Sequence, residues 1–156
     1  MPGRVLTLGA AAAVALTVGG KALAGTLTRS EASLLKVMNG VREARGLRPL
    51  RIDWRLETAA RCHSSTMIRT QTFAHGDFST RIRRAGVTAP HIGENLGWGV
   101  GTLSRARAVV SAWLASPEHR ANLLHGGYRT VGVGALTGSF EGYAGALVVT
   151  TDFAGS

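Results

Sequence analysis

Residues 91–99 read HIGENLGWG. Three glycines in nine positions are too many for a helix and suit a strand carrying a bulge. Ile92, Leu96 and Trp98 give the stretch a buried look, yet Glu94 and Asn95 stand in its middle. A carboxylate taken out of water needs a hydrogen-bond or charge partner. The fold must therefore bring distant polar residues to Glu94, while Gly93 and Gly97 leave room for helices to approach the strand closely.

Upstream, FAHGDF at 73–78 contains Gly76 and reads as a turn, and STRIRRAGV reads as a short helix from Ser79 to Gly86. Before it, Asp53 caps a helix over about 54–71. Its apolar stripe runs through Trp54, Leu56, Ala59, Ala60, His63, Met67 and Ile68. His63 on that stripe reads as a packed, hydrogen-bonded core histidine rather than a ligand. Cys62 in the same helix reads as a small buried apolar residue. Thr28 and Glu31 have capping-box spacing, and Leu34, Leu35, Met38 and Val41 recur at helical steps, so a first helix is expected over about 29–45 with Gly46 as its stop. LRPL at 47–50 is an extended connection, because Pro49 disfavours helix at Arg48.

Downstream, Ser104 is the expected cap of a third helix that buries Ala106, Val109, Val110, Trp113 and Leu114. Ser116-Pro117 opens a short fourth helix, PEHRANLL. TVGVGAL and YAGALVVTTDF are valine-rich strands, with TGSFEG between them as a hairpin loop. Helices gather early and strands late, so the fold class is α+β, with helices covering an antiparallel sheet.

A chain of 156 residues with 45% hydrophobic and 17% charged content makes one folded domain, not a disordered segment. Met1 to Arg4 is a basic start, Val5 to Gly20 an apolar run, and Ala22-Leu23-Ala24 a small-x-small site, which together read as a secretory signal over 1–24. The alternative is an uncleaved membrane anchor, although the run is short for a span. Residues 25–156 are then a single domain, secreted and extracellular.

One cysteine allows no internal disulfide. Net charge is +9; without Arg4 and Lys21 the 18 basic residues fall to 16 against nine acidic, or +7. That charge favours anionic surfaces such as wall polymers or lipid headgroups. Scattered arginines argue against a specific nucleic-acid groove, and RIRR at 81–84 reads as a solvated face. Nothing in the surface pattern requires a dimer, so a monomer is the default.

HExxH, GxSxG, paired CxxC and Walker motifs are all missing from the sequence. His75, Glu94 and His119 sit at element edges, where loops present side chains to clefts. Their separations of nineteen and twenty-five residues match no compact metal motif, so spacing alone leaves them as three separate residues.

The ordered set FAHGDF, IGENLGWG, AWLASPEHRANLL and YRTVGVGAL resembles the CAP superfamily (SCP, or cysteine-rich secretory protein, antigen 5 and pathogenesis-related-1) in its bacterial form, over about residues 31–153. The resemblance implies an α-β-α sandwich with a central antiparallel sheet. It also implies a cleft holding His75, Glu94 and His119, with Asn95 as a structural hydrogen-bonder. Many members have a second glutamate three residues after the helix tryptophan; here that position is Ser116, and neighbouring Glu118 is expected on a different face.

The implied cofactor is zinc or another divalent cation, weakly held by His75 and His119. The implied partner is an extracellular ligand, lipid or anionic cell-wall polymer. The functional expectation is a secreted binding module with no assigned catalysis. The alternative is a metal-assisted peptidase or phosphodiesterase using His75, Glu94 and His119. A third reading makes the His–Glu–His set a buried polar network that only fixes packing.

Overall fold

The computed structural model describes residues 25–156. The expected signal over 1–24 lies outside the described residues. The first helix, α1 (Arg29–Glu43), starts at the capping box: Thr28 N donates to Glu31 Oε2 (2.7 Å), and Glu31 N donates to Thr28 Oγ1 (3.3 Å). A two-residue strand β1 (Arg51–Ile52) follows, then α2 (Trp54–Thr70), with Asp53 as its cap as expected. The next helix, α3 (Phe78–Arg84), is capped by Asp77, not by Ser79. Asp77 Oδ1 accepts from Thr80 N at 2.9 Å, and a carboxylate at a helix N-terminus outcompetes a hydroxyl two residues on.

Strand β2 (His91–Gly99) pairs with β4 without a register break, so the expected bulge is not there. The glycines answer packing instead. A Cβ on Gly93 would strike Tyr128 Oη and Asn122 Oδ1, and one on Gly97 would press on Val109 and Trp113. A 3-10 turn (Gly101–Ser104) precedes α4 (Ala106–Ala115). Ser104 is therefore not the cap: its hydroxyl donates to Gly101 O, and Arg105 occupies the cap position without a side-chain bond.

Helix α5 (Pro117–Leu123) has proline at its first turn. Strands β3 (Tyr128–Phe140) and β4 (Tyr143–Gly155) run through most of the expected loop and meet at the two-residue turn Glu141-Gly142. Both turn residues have positive φ, 50° and 81°. Such a turn matches the twist of a tight hairpin.

The sheet order is β1-β3-β4-β2. β2, β4 and β3 are antiparallel, and short β1 adds a parallel pairing that the purely antiparallel expectation lacked. One face carries Val131, Val133, Val149 and Phe153 against Leu34, Met38, Val110, Trp113 and Leu123 of α1, α4 and α5. The other carries Leu96, Val148 and Ala154 against Leu56, Met67 and Ile82 of α2 and α3. These two helical layers on a central sheet make the α-β-α sandwich. A Cβ on Gly132 or Gly134 would enter the α2 backbone at Leu56 and Ala60, so glycine lets α2 lie directly on β3.

Because β1 is so short, β3 has a free edge beyond Val131. There Val133 N donates to Glu57 Oε2 (2.7 Å) and Ala135 N to Glu31 Oε1 (3.4 Å). Arg61 bridges the two carboxylates, 2.5 Å from Glu31 and 3.0 Å from Glu57. Side chains thus continue the ladder where the strand stops, which protects an otherwise exposed edge. Cys62, expected buried, is exposed on α2, one position outside the apolar stripe. Among the described residues no helix is long and apolar enough to cross a membrane.

Candidate functional site

The outer edge of β2 runs between the two helical layers. His75 arrives there on the α2–α3 connection and His119 on α5, from opposite sides. A cavity of about 350 Å³ at this edge is lined by His75, Phe78, Glu94, Glu118, His119 and Asn122, among others. The three dispersed residues of the sequence therefore face one cavity. Glu118 joins them, contrary to the expectation that it points elsewhere: on this short first turn, residues 118 and 119 both open toward the loop that carries His75.

Each residue has a traceable anchor. Asn95, fully buried, donates from Nδ2 to His119 O (2.9 Å) and accepts at Oδ1 from Asn122 Nδ2 (3.1 Å). Asn122 Nδ2 also donates to Glu94 O (3.0 Å). These amides fasten α5 onto β2. Opposite, Arg81 Nη1 donates to His75 O (3.3 Å), and His63 Nε2 donates to Ala74 O (2.9 Å). His63 is hydrogen-bonded as expected but only half-buried; it holds the loop bearing His75. Burial first, then the charge of Arg81, lower its pKa to about 4, so it is neutral at pH 7.

Glu94 is buried and its partners are not the two imidazoles. His75 Nδ1 donates to Oε1 at 2.7 Å, and Arg81 Nη2 donates to Oε2. His119 bonds Ser116 instead, Nδ1 to Oγ at 2.8 Å. Ser116 thus turns toward His119 and does not cap α5 with its side chain. Burial, reinforced by the positive charge of Arg81, lowers the His75 pKa; burial lowers that of His119, and repulsion from His75, when His75 is protonated, lowers it further. Both rings are neutral near pH 7, and the His75 proton sits on Nδ1, which leaves Nε2 as an acceptor toward the cavity.

Two participants were not singled out in the sequence. Asp152 is directly opposite Glu94 across the β2–β4 ladder and wholly buried, with no N–H or hydroxyl group donating to either carboxylate oxygen. Burial, then the negative charge of Glu94, push its pKa up to about 8. Glu94 is also raised, chiefly by burial. The pair therefore holds a proton at neutral pH, and it resides on Asp152, because Arg81 and His75 both support the charge of Glu94. Arg81 lies 3.9 Å from Asp152. Of the RIRR run, Arg83 and Arg84 are solvated as expected, whereas the Arg81 side chain is only 19% exposed. A signal for both existed: Asp152 shares strand parity with buried Val148 and Ala146, and a carboxylate there calls for a cation.

Beside the cleft, an apolar groove of about 390 Å³ is lined by Phe73, Leu96, Trp98, Leu103, Ala112 and Trp113, and it also touches Ser116 and His119. The Trp113 indole N–H donates to Leu96 O (2.7 Å), which keeps its apolar faces available for packing. His119 lines both the polar cleft and this groove, and Ser116, on the groove side, is bonded to it.

For a metal, the available donors are the Nε2 atoms of His75 and His119. Among the described residues no three His, Cys, Asp or Glu side chains are grouped to hold an ion. Two nitrogens do not fit a zinc centre, which takes three or four protein ligands.

The profile of the cysteine-rich secretory protein family, CAP, matches residues 35–153. Two curated relatives come from Bacillus subtilis: protein YkwD, 32% identical over 109 residues, and membrane protein YlbC, 31% identical over 112 residues. The matches take in 67% and 69% of this chain but only 41% and 32% of those proteins, so the chain spans well under half of either. An extracellular SCP-domain protein of Bacillus anthracis superposes with a TM-score of 0.68 at 25% identity, over 85% of this chain and 45% of that one. An outer surface protein of Borrelia burgdorferi gives 0.68 at 23% identity, over 81% of this chain and 93% of that one, and supports the fold alone. The chain belongs to the CAP family.

Proposed function

We propose that this CAP-family protein is exported and acts outside the cell as a binding module, taking a ligand with a polar end in the His75–Glu94–His119 cleft and an apolar part in the neighbouring groove. One observation carries the reading: His119 lines both cavities, so a single ligand passing its ring reaches both. The extracellular setting of the Bacillus anthracis relative and the signal pattern over 1–24 support export. The chemistry at the polar end is hydrogen bonding by two neutral imidazoles. Glu94, engaged by Arg81 and His75, orients His75 and is not a free base. Any divalent ion taken here rests on two Nε2 atoms with solvent completing the shell, and it is held weakly.

The test is mass spectrometry and elemental analysis of protein purified from its native secretion, beside an Ala112→Trp variant that fills the groove. An apolar co-purifying molecule is expected on the wild type and not on the variant. Equal occupancy of both would remove the groove from the proposal.

The hydrolytic reading has one observation in its favour: the Ser116 hydroxyl lies 2.8 Å from His119 Nδ1, a nucleophile beside a base. Hydrolysis of p-nitrophenyl acetate above the buffer rate, abolished in Ser116→Ala, would favour it over the binding module. A rate unchanged by that substitution discards it.

A further inference from the structure

β1 and β2 form opposite edges of the sheet. Three strand spacings separate them, about 14 Å. At the β1 edge, Arg48, Pro49, Arg51, Arg129 and Thr130 line a further cavity of about 580 Å³. The parallel pairing of Arg51 with Thr130 sets Arg51 next to the residue that follows Arg129. Arg129 is fixed in place, with Nη1 donating to Gly126 O (2.6 Å) and Tyr128 O (2.9 Å).

Next to this wall stands a fourth guanidinium. Arg42 is completely buried and donates to the carbonyls of Arg48 (3.0 Å), Leu123 (2.8 Å), His125 (3.1 Å) and Tyr128 (3.4 Å). Those oxygens satisfy its donors without cancelling its charge. The ion pairs among the described residues involve Arg55, Arg61, Arg81 and His75; none involves Arg42, Arg48, Arg51 or Arg129. A buried charge is normally paired. Here a buried cation and three lining arginines stand at one edge, and none of them is paired with a carboxylate of the described residues.

We propose that this pocket is an anion site for phosphate groups, separate from the β2 cleft and independent of what the cleft binds. Guanidinium forks match phosphate oxygens bidentately, and the exposed Arg48 and Arg51 are free to close on a ligand against the fixed Arg129. The volume of the pocket, about 580 Å³, and its three lining arginines suit consecutive phosphates along a chain better than one isolated group.

Calorimetric titration at low salt with inorganic phosphate and with linear tripolyphosphate tests this on the whole chain. Tripolyphosphate is expected to bind at least about tenfold more tightly than phosphate. Equal affinities would still place a phosphate site here, but one for a single group. Replacing Arg48 and Arg51 by glutamine, both at exposed positions, is expected to weaken tripolyphosphate about tenfold or more, with an unchanged circular dichroism spectrum. Arg83→Gln with Arg84→Gln removes the same charge elsewhere and is expected to stay within about twofold of wild type. Equal losses in the two double variants would show attraction by net charge alone and overturn the site, as would failure of the wild type to bind tripolyphosphate.

Discussion

Two pairs of buried carboxylates, each facing one arginine whose side chain is 19% exposed, stand toward opposite edges of the sheet: Glu31 and Glu57 with Arg61, and Glu94 and Asp152 with Arg81. In the first, edge amides of β3 supply donors to both acids, and Thr28 N supplies another. Against the upward push of burial, Arg61 and Thr28 hold Glu31 below the usual carboxylate range, and burial and Glu31's charge carry Glu57 up to about 7. In the second, no N–H or hydroxyl group donates to Asp152, which is paired across the ladder with the cleft residue Glu94. Both pairs take up a proton near neutral pH; the difference separates a structural bracket at the β3 edge from a pair wired to the site through Glu94 and His75.

The largest expected effect breaks the bracket. Arg61→Met leaves Glu31 charged and buried without its cation, at a cost of about 3–5 kcal/mol in chemical denaturation. The titration of His75, followed by NMR, should not move. Arg81→Met is expected to cost about 3 kcal/mol, because Asp152 is already neutral. It also removes a positive neighbour, so the His75 pKa should rise. A matching rise in the Arg61 variant would erase the distinction between the two clusters.

Asp152→Asn sharpens it through pH. The folded-state pKa of about 8 lies above the unfolded value near 4, so the folded chain binds more protons between them. Stability contributed by that proton is complete at acid pH and is lost as pH rises toward 8. Asparagine has the shape of the protonated acid and does not titrate. The variant's stability curve should therefore be flatter between pH 5 and 8, with a gain over wild type of several kcal/mol at pH 8. Parallel curves would place the proton elsewhere. Glu57→Gln should flatten the same region through the other cluster while leaving His75 untouched.

Much of this was legible in the sequence. Caps at Thr28 and Asp53 and the apolar stripes placed the long helices, since a cap acceptor and a 3.6 period are local facts. The Ser104 and Ser79 starts failed because neighbouring groups, Gly101 O and Asp77, made better bonds. β1 escaped notice because two residues carry no period. His75, Glu94 and His119 were joined only by family resemblance; no spacing rule spans the β2 edge. Arg81 and Asp152 were missed because a run of arginines reads as solvated until one knows which turn faces a buried acid.

A smaller effect is expected from Ser116→Ala. It removes one half-exposed bond to His119 Nδ1, worth about 0.5–1.5 kcal/mol, while Asn95 still holds the His119 carbonyl. The His119 ring gains freedom but keeps its place, so its NMR signals should broaden or shift with those of His75 unchanged.

The smallest effect concerns zinc, and it compares the two sides directly. Folding linkage gives a stabilisation of only about 0.4 kcal/mol when free zinc equals its dissociation constant. A two-nitrogen donor set needs high zinc to reach even that point. The shift in melting temperature should vanish in His75→Ala with His119→Ala, and it should persist in Glu57→Gln, whose change lies in the bracket. A shift retained in the histidine double variant would move the ion away from the β2 edge, and a tight, stoichiometric wild-type complex would mean that a third ligand joins the two imidazoles. Glu118, already facing the same cavity, is the nearest acid with no hydrogen bond or ion pair of its own among the described residues.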